Sequence, residues 1–243
     1  MRVWKSGFAS LGAVVFLLGG CASAPPWPGT DGVLADALFA PPSVPVDAAQ
    51  ALAVSPAMKR HLAENSASRA DANDRRRALI DALYRPGVLK LEYDAGTPRN
   101  AAQAFEARAG NCLSLVMMTG AFAKELGLAV RYQEVRTDDV WDRAGDLMLS
   151  VGHVNLALAE PRRDRFTDRQ AENELVVDFQ PPRGVQSLPY RIVDEATLIA
   201  MYLNNRAAET LSAGRVDDAY WWAREALRSA PDYLPAYNTL AVV

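Results

Sequence analysis

Hydrophobic positions at helical spacing dominate the first half of this 243-residue chain. Residues 47–83 are rich in alanine and carry apolar side chains three and four positions apart, which predicts helix until Pro86 and Gly87 end the segment. Residues 100–108 have a helical composition as well. Gly110 then interrupts the pattern, so we expect a break before the next element.

The most apolar helical segment covers residues 112–126. Asn111 is a suitable N-cap for it, and Gly127 is a suitable residue directly after its C-terminus. The spacing then changes to an alternation of apolar and polar residues, which predicts strands over three ranges, namely 129–136, 151–158 and 174–179. The charged residues 161–173 between the last two predict an exposed loop. The pattern therefore predicts an α+β fold.

The last part of the chain is again helical, with small residues at regular positions. If Ala200 is position 1 of a 34-residue unit, positions 8, 15, 20 and 27 are Ala207, Gly214, Ala219 and Ala226. Small residues at these positions let two antiparallel helices approach closely, so the segment resembles a tetratricopeptide repeat. Residues 234–243 resemble the opening of a second repeat. A repeat of this kind implies binding of a protein partner.

The N-terminus has the pattern of an export signal. Arg2 and Lys5 precede an uncharged apolar stretch at residues 8–18, which is shorter than the roughly 20 residues that span a bilayer. Residues 18–21, with Cys21 last, resemble a bacterial lipobox. That resemblance implies cleavage before Cys21, diacylglycerol on its sulfur, and anchoring in the bacterial cell envelope. Ala22 after the cysteine implies the outer membrane, facing the periplasm.

Composition narrows the functional classes further. Half of the residues are hydrophobic and 23% are charged, so a packed core is expected. The formal net charge of -3 lacks the basic footprint of a nucleic-acid-binding protein, and no nucleic-acid partner is predicted. Two histidines and two cysteines do not form a zinc-binding pattern, so neither metal nor cofactor is predicted.

Three residues carry the candidate chemistry. Cys112 opens a predicted helix, where the helix dipole and free backbone N–H groups favour a thiolate. His153 follows on a predicted strand, and Asp178 lies near the end of another. This is the order of a nucleophile, a base and a residue that orients the base. Each of the three residues, taken alone, also fits a structural role. A lone cysteine in an apolar helix, for example, is most often a small buried side chain.

The sequence around these residues resembles the transglutaminase-like superfamily. The matching segments are Gly110-Asn111-Cys112, residues 126–131, Gly152-His153-Val154 and Val177-Asp178-Phe179. The family usually has an acidic residue where this chain has Asn111. The resemblance covers roughly residues 91–182 and implies a papain-like core, in which a helix bearing the cysteine packs on an antiparallel sheet bearing the histidine and the aspartate.

The resemblance also implies acyl transfer through a thioester on Cys112. The substrate would be a protein or peptide, and the sulfur would attack a peptide carbonyl or a side-chain carboxamide. Water as acceptor would give an amidase or protease, and an amine would give a crosslink. Gln103 and Tyr93 are weak candidates for a second oxyanion donor. The alternative is a non-catalytic, lipid-anchored scaffold with an inactive transglutaminase-like fold.

The predicted organisation has four parts: a lipoprotein signal peptide at 1–20, a Pro/Ala-rich lipid-anchored tether at 21–46, a transglutaminase-like domain with an N-terminal helical region at 47–195, and the tetratricopeptide repeat with an incomplete second unit at 196–243.

Overall fold

The structure is a computed structural model, which describes residues 30, 32–65, 72–84, 89–144, 147–159, 174–179 and 188–243. The predicted signal peptide, Cys21, Pro86, Gly87 and the loop at 161–173 lie outside the described residues. Within the described part, helices and strands form a mixed α+β structure, as the hydrophobic pattern predicts. In that same part, no helix is long and apolar enough to cross a membrane.

The helices and strands follow one another in this order: α1 (Pro56–Asn65), α2 (Ala72–Tyr84), β1 (Glu92–Tyr93), α3 (Ala101–Ala107), β2 (Ala109–Gly110), α4 (Cys112–Glu125), β3 (Ala129–Ala144), β4 (Leu147–Ala159), β5 (Leu175–Val177), β6 (Tyr190–Val193), α5 (Glu195–Ser212), α6 (Val216–Ser229) and α7 (Leu234–Val242). Two 3-10 turns, Asp36–Leu38 and Ala48–Gln50, precede α1. The predicted helical range 47–83 is thus one such turn and two helices.

Helix α4 is the centre of the core. The side chain of Asn111 accepts a hydrogen bond from the backbone N–H of Ser114, and Gly127 has a φ of +68°, so both predicted end signals of this helix are confirmed. Every residue from Cys112 to Ala123 is buried. A helix that is apolar on all sides must be surrounded by other elements. It therefore fixes the position of the residue at its N-terminus, Cys112.

A four-stranded antiparallel sheet packs against α4, with the strand order β5-β4-β3-β6. Strands β3, β4 and β5 lie at the three predicted positions, although β3 and β4 are longer than predicted. Strand β6 at one edge was not predicted. At α4, Tyr132 of β3 packs so closely on Gly120 that a Cβ there would lie 2.5 Å from the tyrosine hydroxyl.

The C-terminal part is a helical hairpin followed by a third helix, as predicted. Gly214, with a φ of +76°, turns the chain between α5 and α6, and the small residues Ala207, Ala219 and Ala226 are completely buried. Helix α5 begins at Glu195, five residues before the predicted start of the repeat. Asp194 explains this, because its side chain accepts a hydrogen bond from the backbone N–H of Thr197 and caps the helix.

The described part of the predicted tether contacts helix α6. The ring of Phe39 stacks on that of Tyr220 in α6 at a centroid distance of 3.8 Å. The hydroxyl and the backbone N–H of Ser43 each donate to the carboxylate of Asp218, both at 2.6 Å. Stacking and paired hydrogen bonds thus hold residues 33–45, hereafter the strap, against α6.

Candidate active site

The backbone before Cys112 is built for a close approach to α4. Strands β1 and β2 pair in parallel, with Tyr93 opposite Gly110. A Cβ on Gly110 would lie 2.8 Å from the Cβ of Ser114, so only glycine fits at this position. The Ser114 hydroxyl in turn accepts a hydrogen bond from the backbone N–H of Arg99 at 2.9 Å. These contacts fix the first turn of the helix that carries the thiol.

Cys112 is a free thiol and is only 9% exposed. It occupies the first position of α4, where backbone N–H groups lack partners within the helix. The positive end of the helix dipole stabilises a negative charge on the sulfur. An N–H group at this position is also a suitable hydrogen-bond donor for an oxyanion that forms on a carbonyl attacked by the sulfur.

His153 lies on β4 next to the thiol. Its Nε2 is 2.9 Å from Oδ2 of Asp178, at the end of β5, so Nδ1 is the ring nitrogen left for Cys112. The hydrogen bond with Asp178 is the largest cause that raises the pKa of His153 from 6.5 to about 9, and a hydrogen bond with the Cys112 side chain is the second. Burial acts in the opposite direction and is outweighed.

The three predicted catalytic residues therefore meet at one place. Cys112 and Asp178 both contact the imidazole of His153, which is 8% exposed. An imidazole with a pKa of about 9 is protonated at neutral pH, and here it lies between the Cys112 sulfur and the Asp178 carboxylate. Such an arrangement supports nucleophilic attack by sulfur and proton donation by the ring.

Asn155 is a further polar member of this cluster that the sequence analysis did not single out. Its Nδ2 donates to Oδ2 of Asp178 at 3.2 Å, so one carboxylate oxygen accepts from both the asparagine and His153. Asn155 is 4% exposed. The sequence does contain a signal for Asn155: side chains alternate along a strand, so residues 153 and 155 lie on the same face.

Tyr93 lies on the other side of the thiol. Its hydroxyl hydrogen-bonds with the backbone of Cys112, and burial together with the negative charge of the Cys112 side chain raises the pKa of Tyr93. Tyr93 is 43% exposed, so this residue contacts both the Cys112 backbone and solvent. The structure thus favours Tyr93 over Gln103 as the candidate donor beside Cys112, because Gln103 instead caps α3 with its side chain.

His61, the second histidine of the chain, does not join the cluster. His61 hydrogen-bonds with the carbonyl oxygen of Ala82 at 2.9 Å and its ring packs edge-on against Phe105. Among the described residues, no group of three or more His, Cys, Asp or Glu side chains is arranged to hold a metal ion.

Comparisons of the chain with known protein families, curated proteins and solved structures find no match.

Proposed function

We propose that this protein is a lipid-anchored envelope enzyme that transfers acyl groups through a thioester on Cys112, with a peptide or carboxamide as acyl donor. The observation that carries this proposal is the position of the His153 ring between the Cys112 side chain and the Asp178 carboxylate. The raised pKa of His153 keeps a proton on the ring beside a sulfur that the helix dipole stabilises as a thiolate.

The first half of the reaction follows from this geometry. The thiolate of Cys112 attacks the carbonyl carbon, and a carbon–sulfur bond forms while the carbonyl π electrons move to oxygen. The oxyanion then collapses, the carbon–nitrogen bond breaks, and the imidazolium of His153 gives its proton to the leaving amine. Asp178 holds the ring in the orientation that points Nδ1 toward the sulfur.

The second half regenerates the thiolate of Cys112 and the imidazolium of His153. Neutral His153 accepts a proton from the acceptor, which attacks the thioester carbon and displaces the sulfur. Water as acceptor gives a carboxylic acid, as in an amidase or protease, and an amine gives a new amide bond, as in a crosslink. Both outcomes use the same residues.

Two donors are available for the oxyanion. The backbone N–H of Cys112 is one, and the Tyr93 hydroxyl that hydrogen-bonds with the Cys112 backbone is the other. In the free enzyme these groups contact each other. When a tetrahedral intermediate forms, its oxygen takes the place of that contact and accepts a hydrogen bond from both groups.

The sequence supports the remaining parts of the proposal. The charged, apolar and small-residue pattern that ends at Cys21 supports lipidation and an outer-membrane location facing the periplasm. The hairpin of α5 and α6, with its buried small residues, supports a tetratricopeptide-like module that binds a protein partner.

A specific observation favours the second candidate function, a non-catalytic scaffold. The thiol is 9% exposed, and the Tyr93 hydroxyl already bonds the Cys112 backbone, as in a closed site without turnover. The rate of thiol alkylation separates the two candidates. The enzyme requires that iodoacetamide alkylates Cys112 at pH 7 at least about tenfold faster than a free cysteine peptide, and that His153→Ala removes this advantage. His61→Ala is the matched control and should keep it. Equal rates in the wild type and in His153→Ala would support the scaffold.

A further inference from the structure

A cleft of about 580 Å³ opens between one face of helix α2 and strand β5. Its volume lies within the range of roughly 300–1,000 Å³ that is usual for ligand sites. The α2 side supplies Arg76, Arg77, Ile80, Asp81 and Tyr84, and the strand side supplies residues 175–178. The cleft is not the space around the thiol, and the two share only Asp178.

The strand side of the cleft is the edge of the sheet. Strand β5 pairs with β4 on one side, and no other strand among the described residues pairs with it. Leu175 and Val176 are 39% and 49% exposed. The outer N–H and C=O groups of an edge strand form a template for a further extended chain, and alternating side chains of that chain contact the surroundings of the strand.

The α2 side provides the opposite wall. Arg76, Ile80 and Tyr84 are four residues apart, so they form one stripe along the helix that faces β5. The stripe is cationic at its start and apolar at its end, where the Tyr84 ring lies 5.9 Å from that of Phe179. Arg77 is exposed at the cationic end. A helix facing a strand edge across an open groove is the arrangement that binds peptides by strand addition.

We propose that this cleft binds an extended, acidic peptide segment, which adds to β5 as a further strand of the sheet. Its backbone pairs with the outer edge of β5, an apolar side chain contacts Ile80 and Tyr84, and an acidic side chain lies beside Arg77. Asp81 and Asp178 also line the cleft, and their negative charges restrict the acidic side chain of the peptide to the surroundings of Arg77. This binding goes beyond the proposed acyl transfer and does not require Cys112.

The test uses the full-length chain with Cys112→Ser in non-ionic detergent, so that no peptide is consumed. The probe is the fluorescein-labelled peptide Thr-Val-Glu-Val-Glu-Val-Thr, and its binding is followed by fluorescence anisotropy. Replacing both glutamates of the peptide by lysine, or N-methylating alternate backbone amides, should each weaken binding at least about fivefold. In the protein, Arg77→Glu should weaken binding about fivefold, because one exposed attraction becomes a repulsion.

Arg60→Glu is the matched control, because Arg60 is an exposed arginine on α1 outside the cleft. The affinity of this variant for the peptide should stay within about twofold of that of the Cys112→Ser parent. Hydrogen exchange gives the location: the amides of residues 175–177 should exchange more slowly with the peptide bound. No binding, binding that Arg77→Glu and Arg60→Glu affect equally, or binding without protection of β5 would overturn the proposal. Absence of acyl transfer in the wild type, with intact peptide binding in Cys112→Ser, would count against the proposed enzyme only.

Discussion

The side chain of Asn155 donates a hydrogen bond to Oδ2 of Asp178 at 3.2 Å, and this oxygen also accepts from His153. An oxygen with two donors in different directions cannot rotate away from either without losing a bond. Asn155 is therefore a positioning residue, because its side chain donates to the carboxylate that holds the imidazole.

We expect Asn155→Leu to lower the rate of Cys112 alkylation at pH 7 by roughly tenfold, because a freed carboxylate orients the ring for less of the time. Asn155→Asp should lower it at least as much, since it replaces the donor with a second negative charge beside Asp178. The rates are measured with iodoacetamide and mass spectrometry.

The matched control for Asn155 is Asn204→Leu in α5. Asn204 also has a side-chain oxygen that is buried without a partner, as Asn155 does, but it lies outside the cluster. Both variants should lose some thermal stability, and only the Asn155 variants should lose thiol reactivity. A parallel loss in both would show that Asn155 acts through stability alone.

The pKa of His153 can be measured directly, because the chain has only two histidines. We expect one imidazole signal to titrate with a pKa of about 9 in NMR spectra, and His61→Gln assigns it. Asp178→Asn should lower this pKa more than Cys112→Ser does, because the Asp178 hydrogen bond is the largest cause of the shift. Titration of the signal assigned to His153 below pH 7 in the wild type would contradict the observed pairing with Asp178.

The same shift has a consequence for stability. The folded pKa is raised above the unfolded value, so the stabilising contribution of His153 is complete below about pH 6.5 and disappears as the pH rises through about 9. The midpoint of thermal unfolding should therefore fall between pH 7 and 9 more steeply in the wild type than in Asp178→Asn. Equal slopes in the two proteins would be the opposite result.

Local patterns in the sequence were sufficient to predict the helix and the strands that carry the site. Asn111 and Gly127 mark the two ends of α4 because their effects on the backbone are local. The order of Cys112, His153 and Asp178 was visible for the same reason, since each lies on an element with a clear period.

Contacts between distant segments were not visible in this way. The strap was predicted as a tether from its proline and alanine content, yet Phe39 stacks on Tyr220, a residue far along the chain. Nothing local to residues 33–45 indicates α6 as a partner. The same limit applies to β6, a short strand whose pairing with β3 decides its conformation.

The Tyr93 hydroxyl should affect acylation of the Cys112 sulfur and not its alkylation. Acylation by p-nitrophenyl acetate passes through an oxyanion, whereas alkylation by iodoacetamide does not. We expect Tyr93→Phe to slow acylation about tenfold or more, in line with the loss of an oxyanion donor, and to leave alkylation within about twofold. A change of equal size in both reactions would show that the Tyr93 hydroxyl affects the thiolate and not the oxyanion.

One attachment of the strap to α6 is the buried carboxylate of Asp218. The hydroxyl and backbone N–H of Ser43 hold the pKa of Asp218 below its usual range, so this attachment is present near neutral pH and is lost as the pH falls through that lowered pKa. Asp218→Asn should destabilise the protein by about 1–3 kcal/mol and speed hydrogen exchange in residues 35–43. The exposed Asp232→Asn is the control. Unchanged exchange in Asp218→Asn would mean that the other contacts of the strap with α6, such as the stacking of Phe39 and the hydrogen bond from Trp221 to the carbonyl oxygen of Ala40, are sufficient to hold it.

The acyl-enzyme itself tests the central claim most directly. The full-length chain in non-ionic detergent is mixed with p-nitrophenyl acetate, and intact mass and peptide mapping follow the protein. The proposed enzyme releases one nitrophenolate per chain in a burst and carries one acetyl group on Cys112, which is then lost to water. Cys112→Ser and His153→Ala should form no acetyl-enzyme on this timescale. Acetylation of Cys112 at the same rate in His153→Ala, or no acetylation of Cys112 in the wild type, would contradict the account.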